Sequence, residues 1–199
     1  MNSNIDQTVT SLLAAGAQRG EPAWDALCSR LVEPLRVWVD VHLHGGMRGR
    51  IDPADVMQET WARAMGDVHR FDSSKGKFRA WLFGIARNVL RDAFRACAAP
   101  DAGRGGTAWA ASLDQVSDSV RHYVRDVDRN DALNHLAETI RTLDEGDQTL
   151  AICALEGIKL SDAALRLGIN YEATVKRWQK LRARLATGPV ARDLLELAE

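Results

Sequence analysis

In almost every periodic segment between Trp24 and Leu185 the apolar residues return at intervals of three and four, and there is no run of alternating β-branched residues bounded by turn signals. A period near 3.6 gives a helix one apolar stripe, whereas a half-buried strand alternates with period two. The fold class expected is therefore all-α. Trp24, Leu27, Leu31, Leu35 and Trp38 mark a first helix running to about Val41, which HGGMRGR breaks. Asp52-Pro53 opens a second: an Asp side chain can accept the free N–H groups of a first turn, and proline fits the first helical position because its missing N–H has no partner there. That helix is expected to reach about Val68, and a third to run from about Lys77 to Ala96.

AAPDAGRGGTAWAASLDQVSD is rich in Gly, Ala, Asp and Ser and has no sustained period, which predicts a flexible linker and a domain boundary. The expected organisation is two small helical domains, residues 21–97 and 127–187, joined by a linker over 98–126 and followed by a short tail, 188–199. In the second domain a helix is expected from about Val127 to Leu143, then segments near Gln148 to Glu156, Ser161 to Leu167 with Ser161 as cap, and Tyr171 to Ala186, punctuated by Gly157 and Gly168. The tail reads as a short amphipathic helix or a fraying end.

The three cysteines, Cys28, Cys97 and Cys153, lie far apart with no CxxC, and His42 and His44 are spaced for different helix faces. They are expected to be reduced thiols, mostly in the core, with Cys97 the most accessible. No metal or other cofactor is expected. No apolar run approaches the roughly 20 residues of a membrane span, and the N-terminal stretch has no basic region leading into a long apolar one. A cytoplasmic location without membrane insertion is expected.

The net charge of -1 hides a division along the chain. Arg63 to Arg95 holds eight Lys and Arg against three Asp and Glu, Asp101 to Asp147 five against ten, and Glu172 to Arg184 five against one. Basic islands suit phosphate backbones, although the same pattern suits a solvated helix face. In LSDAALRLGINYEATVKRWQKLRARL a short helix, a turn at Gly168 and a basic helix have helix-turn-helix spacing. At about 100° per residue, Val175, Trp178, Leu181 and Leu185 share one side of the last helix and Glu172, Lys176, Gln179 and Lys180 the other, with Arg177 and Arg184 on the flanks. Lys can donate to guanine, Gln can pair with adenine and Glu can accept from cytosine, while flanking arginines can grip phosphate.

FDSSKGKFRAWLFGIARN, residues 71–88, combines two characters. Leu82, Ile85, Val89 and Ala93 form the apolar side of the third helix, while Trp81, Gly84, Asn88, Arg91 and Arg95 form a separate stripe able to stack on bases, read their edges and hold phosphate. The loop with Lys75 and Lys77 around Gly76 suits closure over an extruded base. On the second helix Asp55, Gln58, Glu59, Ala62 and Arg63 are expected to face outward, either to solvent or toward a basic protein surface. No paired carboxylates, Ser/His/Asp or Cys/His set, or phosphate-cradling glycine motif points to an enzyme. A free-standing helical regulator would use the C-terminal helix-turn-helix but would leave the acidic face and the aromatic loop without a role.

Three motifs in this order, covering about Pro22 to Leu185, make the chain resemble an extracytoplasmic-function sigma factor, a small RNA polymerase sigma subunit. DPADVMQETWARAM resembles the family's region 2.2, FDSSKGKFRAWLFGIARNVLRD its regions 2.3 and 2.4, and LSDAALRLGINYEATVKRWQKLRARL its region 4.2. The resemblance implies promoter-specific initiation and assisted promoter melting in complex with core RNA polymerase, through the β′ clamp and β flap. It implies polymerase binding by Asp55, Gln58, Glu59 and Arg63, and minus-ten DNA binding by Lys75, Lys77, Phe78, Trp81, Asn88, Arg91 and Arg95. Minus-thirty-five binding falls to Glu172, Lys176, Arg177, Gln179, Lys180 and Arg184. NYEATV places Thr174 and Val175 one step later than the family's Thr-Val, so the groove residues are Lys176, Arg177 and Lys180 in a gapless register and shift by one in the other. The gapless register keeps Trp178 and Leu185 in the core. Many relatives are held by an anti-sigma factor, a possible further partner.

Overall fold

The structure is a computed structural model that describes residues 22–43, 45–47, 49–72, 74–98, 118–128 and 131–185. Among them are eight α-helices and no strand: α1 (Pro22–His42), α2 (Pro53–Asp67), α3 (Phe78–Ala98), α4 (Asp118–Asp128), α5 (Asp131–Arg141), α6 (Glu145–Glu156), α7 (Leu160–Leu167) and α8 (Tyr171–Leu185). The all-α expectation is met. Asp52 caps α2 as its position predicts, accepting from the Ala54 N–H at 2.8 Å, with Pro53 opening the helix. Gly157 and Gly168 end α6 and α7 in the left-handed region, at φ 68° and 65°, where a side chain would be strained. Ser161 is not the cap of α7; the helix begins at Leu160, behind Lys159, which makes no side-chain cap bond. The sequence tail 188–199 lies outside the described residues.

A larger departure concerns the expected linker. Its last part, residues 118–126, belongs to α4, a helix that packs on α1 and α2 and buries Val124 completely. The helix expected over Val127 to Leu143 is in fact parts of two, α4 and α5. Charged and polar residues fill most of DSVRHYVRDVD, so its period is carried by few apolar positions and is hard to separate from a polar linker.

α1 is the centre of the molecule. It packs against α2, α3, α4, α5 and α6. A helix enclosed in this way is buried all round rather than along one stripe, and every residue from Leu31 to Val41 except Glu33 is buried. That enclosure takes in Arg36 and Asp40, which form an ion pair one turn apart. Arg36 also donates to Asn134 of α5 at 3.2 Å, and Arg141 of α5 donates to the Asp40 carbonyl at 2.5 Å. Burial pushes the Cys28 thiol up, with Asp25 adding to it, and also raises that of Cys153; Cys97 is partly exposed.

The helices before and after residues 99–117 share one continuous core. Its polar seam centres on Glu156, the buried last residue of α6. Glu156 Oε1 accepts from Trp38 Nε1 of α1 at 2.9 Å and from Arg87 of α3 at 2.5 Å, and Oε2 accepts from Arg166 of α7 at 3.4 Å. Arg87 also sits over the Trp38 ring, 5.9 Å from its centroid. Nearby, Arg79 of α3 donates to the carbonyl of Leu155 at 2.7 Å, one of the acceptors a helix C-terminus leaves open, and to that of Ala154 at 3.3 Å, which also accepts from the Gly157 N–H. Glu156→Ala is expected to lower unfolding stability by about 2–3 kcal/mol, the scale of a hydrogen bond to a charged group together with a buried donor left unpaired, read as a lower urea midpoint.

Candidate nucleic-acid interface

The loop before α3 is built by Asp72. Its Oδ1 accepts from the Ser74 N–H at 2.9 Å and the Ser74 hydroxyl at 2.6 Å, and its carbonyl accepts from the Lys75 N–H at 3.1 Å, closing a turn. The Ser74 hydroxyl and N–H hold the Asp72 carboxyl below the usual carboxylate range, with Lys75, 3.4 Å away, adding to them. Between this loop and α3 lies an open pocket of about 280 Å³ lined by Arg70, Phe71, Asp72, Lys75, Gly76, Lys77, Ala80 and Trp81.

One wall of the pocket is aromatic and is fixed from behind. Phe71 and Trp81 lie 5.5 Å apart between ring centroids, and both pack on Phe78, at 5.5 and 5.2 Å. Phe78 in turn meets Trp24, which meets Trp61 edge-on. Phe78 is completely buried, so its expected place at a DNA contact is corrected: it is the support beneath the pocket. Arg70, Phe71 and Asp72 were missed as lining residues, although Phe71 stands seven residues before Phe78 and ten before Trp81 in a recognisable aromatic series.

From the pocket, the predicted stripe continues along α3. Trp81 and Gly84 are partly exposed, and Asn88, Arg91 and Arg95 are exposed, with Arg91 donating to Asn88 at 3.3 Å. Leu82, Val89 and Ala93 are buried and Ile85 packs partly against the core, so the two sides separate as the wheel predicts. Arg79 and Arg87, on the same helix, are committed to α6.

On α2 the expected outward face divides. Asp55 is exposed and Gln58 partly so, but Glu59 and Ala62 are buried, which corrects their outward placement. Arg63 bridges Glu59 at 2.7 Å and Asp92 at 3.0 Å; desolvation works against its charge, but these two carboxylates outweigh it and raise its pKa. Glu59 Oε2 is buried without a hydrogen-bond partner among the described residues. The Asp55 carboxyl is pushed up, first by desolvation and then by the charge of Asp52.

On α8, Trp178, Leu181 and Leu185 are buried and Val175 is half-buried, while Glu172, Lys176, Gln179 and Lys180 are exposed together. Asn170 Oδ1 accepts from the Ala173 N–H at 2.8 Å and caps the helix start. Beside it stand the exposed apolar side chains of Leu165, Ile169 and Tyr171. The flanks differ from expectation. Arg177 pairs with both Asp144 and Asp147, and Arg184 pairs with Asp147 at 3.1 Å, so neither guanidinium stands free for phosphate. The hydrogen bond to Asp147 outweighs desolvation and raises the Arg177 pKa.

Among the described residues no three His, Cys, Asp or Glu side chains gather as metal ligands, and no helix is long and apolar enough to cross a membrane. Residues 32–98, which carry the pocket, the α3 stripe and the α2 face, match the sigma-70 region 2 family. Beyond that segment, the chain is similar to curated RNA polymerase sigma factors. It is 29% identical over 189 residues to the ECF RNA polymerase sigma factor SigC of Mycobacterium tuberculosis, covering 95% of each chain. The probable RNA polymerase sigma-C factor of Mycobacterium bovis matches to the same extent. The RNA polymerase sigma factor CnrH of Cupriavidus metallidurans is 29% identical over 143 residues, 68% of this chain and 72% of that one. No solved structure matches the chain.

Phe78→Ala should cost about 3–5 kcal/mol in urea unfolding, as for a buried Phe truncation. Lys75→Ala, at the exposed rim, should stay within about 0.5 kcal/mol of the parent.

Proposed function

We propose that the protein is a sigma factor that binds core RNA polymerase, directs it to promoters and assists their melting, with no catalytic chemistry of its own. The observation that carries this reading is the pocket between the Lys75–Lys77 loop and Trp81, opening onto the stripe of Asn88, Arg91 and Arg95. Its volume of about 280 Å³ falls just below that of most ligand pockets, roughly 300–1,000 Å³, and suits one flat ring stacked against the wall that Phe71 and Trp81 form together. Extruding a base costs a few kcal/mol of unstacking, which aromatic stacking at roughly 1–3 kcal/mol per base offsets. Lys75, Lys77 and Arg70 at the rim supply the charge that a strand leaving the pocket needs. Arg91 and Arg95 continue that charge along α3, where the displaced strand is held open.

In this reading residues 21–97 bind core enzyme and the minus-ten strand, and residues 127–187 read the minus-thirty-five duplex. The join over 98–126 threads the polymerase toward the RNA exit, although its last residues, from Asp118, are helical here. Asp55 and Gln58 offer the polymerase β′ clamp an exposed acidic and polar edge, and Glu59 and Arg63 shape it from beneath. The second domain meets the β flap, and an anti-sigma factor is a further partner of the same surfaces. Lys176, Gln179, Lys180 and Glu172 face the major groove, with Tyr171 and Ile169 placed for apolar contact with thymine methyl groups. Such a protein works beside polymerase in the cytoplasm.

Run-off transcription with cognate core enzyme and genomic DNA tests the reading. A set of promoter-specific transcripts absent with core alone is expected, and neither transcripts nor binding to core would sink it. Asp55→Arg should abolish co-purification with core while leaving the helical circular dichroism unchanged. Lys176→Ala should weaken holoenzyme binding to a promoter duplex by about 1–3 kcal/mol, the scale of a specific base contact.

A further inference from the structure

DEGD, residues 144–147, reads in the sequence as a turn between two helices, yet in the structure it grips the proposed recognition helix. Asp147 is buried at the start of α6. One of its carboxylate oxygens accepts from Arg177 Nε at 2.6 Å and the other from Arg184 Nη1 at 3.1 Å. The far end of the Arg177 guanidinium pairs with Asp144, whose Oδ1 also caps α6 by accepting from the N–H groups of Gly146 and Asp147, both at 3.1 Å. Arg177 and Arg184 are seven residues apart, about two turns, and so share the flank of α8 that faces α6.

Gly146 completes the grip. A Cβ there would come within 2.6 Å of Arg177 Cζ, so the guanidinium lies against bare backbone. Gly146 is not among the glycines with positive φ, so the turn itself does not require a glycine here; the space taken by Arg177 does.

A cation facing DNA adds sequence-independent affinity through counterion release, whereas specificity comes from groups on base edges. We infer that Asp147, with Asp144 and Gly146, is a specificity-determining element of duplex recognition: it holds Arg177 and Arg184 back from the phosphate backbone and fixes the roll of α8, so that Glu172, Lys176, Gln179 and Lys180 dominate the contact. The inference rests on the duplex-reading role of α8 proposed above. Asp147 acts through the two arginines and is a positioning residue.

The test uses the full chain with cognate core polymerase, and core alone as blank. Wild-type holoenzyme is first selected on a pool of random-sequence duplexes. The enriched duplex and a scrambled duplex of equal composition are then titrated across about 50–200 mM salt. Asp147→Asn should bind the scrambled duplex more tightly, by roughly eightfold per arginine released near 0.1 M salt, and should steepen the plot of log K against log salt by about 0.9 for each. The ratio of enriched to scrambled affinity should fall. Adding Arg177→Gln and Arg184→Gln should return the slope to the wild-type value, a rescue that a merely misfolded helix would not show. Gly146→Ala keeps both carboxylates but displaces Arg177, and should steepen the slope by about one arginine. Should Asp147→Asn lose its helical circular dichroism, the Gly146→Ala comparison decides. Wild-type slopes and ratios in both variants would overturn the inference. Failure of wild-type holoenzyme to enrich any sequence would instead remove the duplex-reading role, and the inference with it.

Discussion

A carboxylate taken out of water must be met by donors, or its desolvation outweighs whatever packing enclosed it. Glu156 meets this condition through Trp38, Arg87 and Arg166, three donors from three helices, the first two 118 and 69 residues away in sequence. The rest of the arrangement follows from that match. α6 ends where its last side chain can reach α1 and α3, and Arg79 binds the carbonyls beside it. Gly157 then turns the chain toward α7 and α8. With α6 fixed there, α1 is enclosed, and Arg36 and Asp40 are tolerable in its centre only because each finds a partner on the same helix or on α5.

The fate of the arginines separates what is local from what is not. Counted along the chain, Arg63 to Arg95 is a basic island, but Arg63 is matched by Glu59 and Asp92, Arg79 by carbonyls of α6, and Arg87 by Glu156. Arg70, Lys75 and Arg95 also meet carboxylates, those of Asp67, Asp72 and Asp92, but at 3.4–3.9 Å on the exposed surface, so the accessible positive charge lies around the pocket and its stripe. In α8 the same division leaves Lys176 and Lys180 exposed while Arg177 and Arg184 are held. An ion pair such as Arg87 with Glu156 joins residues 69 apart in sequence, and no helical wheel can anticipate it.

Features that depend on neighbouring residues were readable. The Asp52-Pro53 start, the left-handed glycines, the apolar side of α3 and the separation of faces on α8 all follow from short-range rules of capping and periodicity. The opposite holds for Glu59 and Ala62, which lie on a side of α2 that reads as outward until other helices enclose it. It holds also for Phe78, whose chemistry suits either a base or a core and whose burial decides between them. α4 was missed because its apolar content is low and its stability comes from docking on α1 and α2 rather than from its own propensity.

The ring series from Trp61 through Trp24 and Phe78 to Phe71 and Trp81 joins the centre of the bundle to the wall of its pocket. Close-packed interiors transmit small displacements instead of absorbing them. The hydrophobic interior and the pocket are therefore one mechanical unit: a substitution at Trp24 or Trp61 also moves the wall of the pocket, whereas one at Lys75 or Gly76 alters the exposed rim with the interior left intact.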